Sequence, residues 1–239
     1  MSFDRNVSLD QPLTTVKGDA LATLNSLTVF PTPGNPPCDY NPNPPDAPLQ
    51  PDPSGCTTTN IGGGLLGAAN ALTDPSLARY DSLWVVVLLT DGAANHTIAQ
   101  GGFPNGYCPA STWFQPGCNT DPITGVEYGC PICRDIAGLT TYHDSSSPDY
   151  DAEDYAVDQA DVLVALRTDS LGASEMIIFT IGLGDQVTNT TYGKPDAGED
   201  LLEYIADAAD GSYYASPTAS DLVNIFADIA QNIFTRITQ

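Results

Sequence analysis

The sequence predicts an α/β domain built on a mostly parallel sheet with helices on both faces, and three observations carry that fold class. Residues 82–90 and 175–184 are apolar almost throughout and rich in Val and Ile, the composition of strands buried on both sides. Between and after them lie segments with apolar residues at helical spacing, so strand and helix alternate along the chain. Both apolar runs end in punctuation, Asp91-Gly92 in one case and Gly182-Leu183-Gly184 in the other, as strands that feed loops do.

Taken in order, residues 7–12 read as a short strand. Residues 18–27 have helical spacing, with Leu21, Leu24 and Leu27 on one side. Residues 30–55 are dominated by Pro, Asn and Asp, a density that excludes a helix or a central strand. An Ala- and Leu-rich helix covers 65–72, and 82–90 is expected to be a central strand. Residues 93–148 form a second irregular region. A helix over 152–167 presents Tyr155, Ala156, Ala160, Leu163 and Leu166 on one face. Residues 201–209 give another helix and 211–215 a short strand. The last helix, 219–237, keeps the 3.6 period through Leu222, Ile225, Phe226, Ile229 and Ile233, with Ser and Thr ahead of it to cap it. No linker separates two hydrophobic patterns, so 1–239 reads as a single domain with insertions at about 30–56 and 93–150.

Seven Lys and Arg stand against thirty Asp and Glu, a formal net charge of -23. Such a field repels a polyphosphate and argues against nucleic acid, while favouring divalent cations and basic partners. The longest aliphatic and aromatic run, residues 83–89, is far short of the roughly 20 residues a membrane helix needs. Met1-Ser2-Phe3-Asp4-Arg5 lacks the regions of a signal peptide. Yet six cysteines sit in loop-like sequence, which points to an oxidising compartment. An extracellular or cell-surface location, with the export signal or anchor upstream of Met1, reconciles the two.

Cys38 and Cys56 bracket the proline-rich loop, and a disulfide between them would close it. Cys108, Cys118, Cys130 and Cys133 allow three pairings, or a four-thiolate zinc site with Cys130-Pro131-Ile132-Cys133 as one knuckle. The wide gap between Cys108 and Cys118 makes a poor second knuckle, which favours disulfides. The two histidines, His96 and His143, belong to no zinc-hydrolase or nucleophile–base arrangement, so the sequence is not read as an enzyme. Asp149-Tyr150-Asp151-Ala152-Glu153-Asp154 reads as a solvated helix start whose carboxylates favour the dipole. Gly62-Gly63-Gly64 is not a phosphate cradle, because no Lys follows it.

Several stretches together resemble the von Willebrand factor type A family. They are Thr59-Asn60-Ile61-Gly62-Gly63-Gly64-Leu65 opening a helix, Leu88-Leu89-Thr90-Asp91-Gly92 ending a strand, and Ile178-Phe179-Thr180-Ile181-Gly182-Leu183-Gly184 at the next strand. Ile205-Ala206-Asp207-Ala208-Ala209-Asp210-Gly211 before a closing amphipathic helix also fits, and the order of the motifs is that of the family. The end of the chain, from Ile229 to Gln239, is similar to bacterial members associated with Tad-type pilus assembly.

The resemblance implies a Rossmann-like sheet and a protein-binding or adhesion domain that recognises its partner through a divalent cation, in a site of the MIDAS type. Thr59 and Asp91 match the second and third metal loops, and Mg²⁺, Mn²⁺ or Ca²⁺ would suit their hard oxygens. The partner would offer an Asp or Glu carboxylate. The family's first loop, Asp-x-Ser-x-Ser after the first strand, has no counterpart. Asp144-Ser145-Ser146-Ser147-Pro148 has Pro where the second Ser belongs and follows Asp91 instead of preceding it. In family order Ser2-Phe3-Asp4 looks like part of the second strand, so the first strand, helix and metal loop are expected upstream of Met1. A metal-independent adhesive module stapled by disulfides is the alternative.

Overall fold

The computed structural model describes residues 1–3, 7–26, 59–79, 81–92, 94, 144–146, 150, 152–168, 176–184, 187, 197–216, 218 and 220–237. All six cysteines, both histidines and nearly all of the two insertions lie outside them. So do the proposed disulfide between Cys38 and Cys56 and both readings of Cys108, Cys118, Cys130 and Cys133.

Within the described residues the chain is α/β, with a three-stranded parallel sheet and five helices. A hairpin of β1 (Ser2–Phe3) and β2 (Val7–Ser8) comes first, followed by α1 (Lys17–Ser26), α2 (Ile61–Leu72) and β3 (Trp84–Thr90). Then come α3 (Ala152–Thr168), β4 (Met176–Leu183), α4 (Ala197–Asp207), β5 (Tyr213–Ser216) and α5 (Asp221–Ile237). The sheet order is β3-β4-β5. Pairing of β3 with β4 is unbroken from Trp84 opposite Met176 to Thr90 opposite Gly182.

Alternation along β4 sorts the layers, because successive side chains point to opposite faces. Met176 and Ile178 join Trp84 and Leu88 of β3 in a core filled by Ile61 and Leu65 of α2, Ala156, Ala160 and Leu163 of α3, and Leu201, Leu202 and Ile205 of α4. Ile177, Phe179 and Ile181 point the other way, onto Ile225 and Ile229 of α5. Each such side chain, when fully buried, contributes roughly 1.5–3 kcal/mol. The crossovers from β3 through α3 to β4, and from β4 through α4 to β5, step across the sheet in one direction. Connections of one hand therefore place α3 and α4 on the same face. Past the edge strand β5, the chain turns to the opposite face as α5. Thr180 is the one polar residue in the middle of β4, and its hydroxyl donates to the Leu202 carbonyl at 2.8 Å, which satisfies it inside the core.

Two expectations need correction. Among the described residues, 82–90 do not form a central strand buried on both faces: β4 lies between β3 and β5, β3 pairs with β4 alone, and Val87 is 40% and Leu89 39% exposed. Apolar composition shows what a strand is suited to bury, not how many neighbours it has. The strand expected over 7–12 shortens to Val7–Ser8 and pairs antiparallel with Ser2–Phe3 in a hairpin separate from the main sheet. The helix expected over 18–27 is present as α1, with no buried residue and with Leu21 and Leu24 exposed.

Helix ends are set by local chemistry. Asn60 caps α2, its Oδ1 accepting from the Gly63 amide at 2.8 Å, so the helix starts at Ile61 and takes in the glycine run. Asp221 accepts from both the Thr218 amide, at 3.2 Å, and the Thr218 hydroxyl ahead of α5. At the end of α4 the Gly211 amide donates to the Ala206 carbonyl at 2.9 Å, with Asp210 in the left-handed region at φ 50°. A Cβ on Gly211 would lie 1.8 Å from the Ile178 carbonyl oxygen, so α4 can turn into β5 only because that position has no side chain. Gly211→Ala is expected to destabilise the fold by about 3 kcal/mol, read as a lowered urea midpoint in chemical denaturation.

Candidate functional site

The carboxyl end of β3 and the amino end of α2 meet. Strand β3 closes with buried Thr90, whose hydroxyl donates to the Gly92 carbonyl at 3.0 Å and accepts from the Gly92 amide at 3.3 Å. That pair of bonds fixes the turn and leaves Asp91 exposed at its apex. Thr59 directly precedes the cap of α2. A Cβ on Gly92 would lie 2.9 Å from Thr59 Oγ1. The structure therefore brings together the loops of Thr59 and Asp91, which are far apart in sequence, and a glycine makes the approach possible.

The chemistry of the pair is that of hard oxygen: one hydroxyl, one exposed carboxylate, at a helix start and a strand end. Ligands of open parallel sheets sit outside the carboxyl ends of the strands, and this pair occupies such an end. Among the described residues no three His, Cys, Asp or Glu side chains are grouped to hold a metal ion. A site here would draw on hydroxyl and water oxygens besides Asp91.

The seam between α2 and α3 sets where Thr59 stands. A Cβ on Gly62 would meet the Tyr155 ring at 2.4 and 2.7 Å and the Ala156 Cα at 3.1 Å. Glycine lets the first turns of the two helices close to backbone distance. The expectation of a solvated start to α3 is corrected: Glu153 is 6% and Asp154 5% exposed. These carboxylates lie in the first turn of the helix, as the sequence predicts, but that turn is buried.

Two buried tyrosines, Tyr150 and Tyr155, pack together at the start of α3. Tyr150 is buried and donates to Asp158 Oδ2 at 2.9 Å. Burial first, and the Asp158 hydrogen bond second, push its phenol well above the usual range. Tyr155 is 3% exposed, its hydroxyl has no hydrogen-bond partner, and burial raises its phenol too. Sequence analysis assigned Tyr155 to the helix's apolar face, which holds, but its unpaired hydroxyl could be found only from coordinates. The Asp144 segment is an exposed local turn in which Asp144 Oδ1 accepts from the Ser146 amide at 2.8 Å and from the Ser146 hydroxyl. That arrangement accounts for its Asp-Ser-Ser pattern without a ligand.

Comparison with known proteins found no matching family model, no matching curated protein and no matching solved structure.

Both phenols have folded pKa values above the unfolded value of about 10. Their contribution to stability is complete below that value and declines above it, as the unfolded chain releases protons that the folded chain retains. Stability should therefore fall as pH rises past about 10. Tyr155→Phe, which removes a buried unpaired hydroxyl, should stabilise by about 1 kcal/mol at neutral pH and lessen the alkaline loss. Thermal unfolding followed from neutral to alkaline pH checks both effects.

Proposed function

We propose that this chain is a protein-binding module that recognises its partner through a divalent cation held at the carboxyl end of its parallel sheet. More particularly, we propose an extracellular domain of the von Willebrand factor type A kind, of the sort associated with bacterial Tad-type pili. The observation that carries the reading is the Thr59 hydroxyl lying against Gly92, next to the exposed carboxylate of Asp91. The parallel α/β fold and the order of the sequence motifs support it.

Thr59 and Asp91 would contribute oxygen to the ion. Mg²⁺ suits such a donor set because it keeps several waters and needs only one or two carboxylates. A partner's Asp or Glu replaces one of those waters, so the cation links the two proteins. The net charge of -23 raises the local concentration of cations around the site. The module does no covalent chemistry, and the surrounding loops select the partner.

Calorimetric titration of Mg²⁺ and of Mn²⁺ into the chain tests the reading. The expected dissociation constant lies in the roughly 10⁻⁴–10⁻³ M range of extracellular modules. Asp91→Ala should abolish the heat. Gly92→Ala, which displaces Thr59, should weaken binding by about tenfold, or 1.4 kcal/mol. Absence of binding, or binding unchanged in Asp91→Ala, removes the cation reading and leaves a metal-independent adhesive module.

A further inference from the structure

Two Asp-Gly pairs occur in the chain, Asp91-Gly92 and Asp210-Gly211. Such a pair carries its own reactivity. The glycine amide nitrogen can attack the aspartate Cγ, unhindered because glycine has no side chain. The five-membered ring forms only if the peptide between the two residues turns its nitrogen toward that carbon. The fold treats the two peptides differently. At Asp210-Gly211 both sides of the peptide are pinned. The Asp210 carbonyl accepts from Arg236 Nη2 at 2.7 Å, and the Gly211 amide donates to the Ala206 carbonyl at 2.9 Å. Gly211 also lies against the Ile178 carbonyl oxygen. At Asp91-Gly92 the amide is held by one side-chain hydroxyl, that of Thr90, at 3.3 Å, beyond the ordinary length of about 2.7–3.2 Å.

We propose that Asp91 is a site of spontaneous isomerisation to isoaspartate, and that the fold suppresses the same reaction at Asp210. The Gly92 nitrogen loses its proton and bonds to Asp91 Cγ. A carboxyl C–O bond breaks and water leaves, giving a cyclic imide. Water then adds at either imide carbonyl. Addition at Cγ restores aspartate. Addition at the main-chain carbonyl carbon breaks its bond to the Gly92 nitrogen and leaves the chain running through Cγ. No mass is gained or lost overall, and neither an oxidant nor an enzyme is required. The product lengthens the main chain by one carbon at the turn after β3 and leaves the carboxylate directly on Cα. The placement of Asp91 beside Thr59 is lost, so the candidate site is silenced as the protein ages. Isomerisation itself is independent of the cation reading, whereas its effect on ion binding rests on it.

The test incubates the folded chain at neutral pH in chelator, beside the same chain in urea. Peptide mass spectrometry with electron-based fragmentation then locates and counts isoaspartate. In urea the two pairs are equivalent local sequences and should convert at similar rates. In the folded chain, conversion at 91 should exceed that at 210 by about tenfold or more, a barrier difference of about 1.4 kcal/mol. Titration of Mg²⁺ into fresh and aged chain, after the chelator is removed, gives the second readout. Ion binding should fall in proportion to the isoaspartate at 91. A fresh chain that binds no Mg²⁺ removes the cation reading and leaves the isomerisation standing on the mass spectra. Equal rates at the two positions in the folded chain overturn the proposal, as does faster conversion at 210. So does a folded chain without isoaspartate at 91 at the time the unfolded chain has converted.

Discussion

Strand β4 presents Met176 and Ile178 to one side and Ile177, Phe179 and Ile181 to the other, and both sets must leave water at once. A strand apolar on both faces is stable only between two layers, so its burial dictates the placement of everything packed on it. Helices α2, α3 and α4 form one layer and α5 the other. The short strand β5 supplies the second neighbour that β4 needs, pairing from Thr180 opposite Tyr213 to Leu183 opposite Ser216. With β4 fixed, the carboxyl end of β3 and the amino end of α2 fall side by side, and the candidate site forms where they meet.

Much of this was legible in the sequence. The helical spacing of Leu222, Ile225, Ile229 and Ile233 locates α5 and its buried stripe, and the apolar run 176–183 locates β4. Thr59 and Asp91 were singled out from motif resemblance, and the fold places their loops in contact. What stayed hidden depended on distances between segments remote in sequence. The exposure of Val87 and Leu89 on β3 is one case: the strand's composition is that of one buried on both faces, and composition does not report what packs against it. Burial of Glu153 and Asp154 is another, because no local pattern around those carboxylates reveals it.

Glycine governs the site by subtraction. Gly62 admits the Tyr155 ring, Gly92 admits the Thr59 hydroxyl, and Gly211 admits the Ile178 carbonyl. At each, the missing Cβ lets two elements come closer than any other residue allows. The first two contacts adjoin the Thr59 loop, and the third sets the turn from α4 into β5. The geometry of that loop is thus held by close packing of backbone and ring, with hydrogen bonds such as that of Asn60 to Gly63 completing the ends.

The seam between Gly62 and Tyr155 also couples two positions that are 93 residues apart in the chain. The space is shared: volume added to the α2 side has to be withdrawn from the α3 side. In diverging relatives these two sites would exchange bulk as a pair, a larger residue at 62 accompanying a smaller one at 155. Substituting either alone would strain the seam or hollow it, so neither position can drift while its counterpart stays fixed.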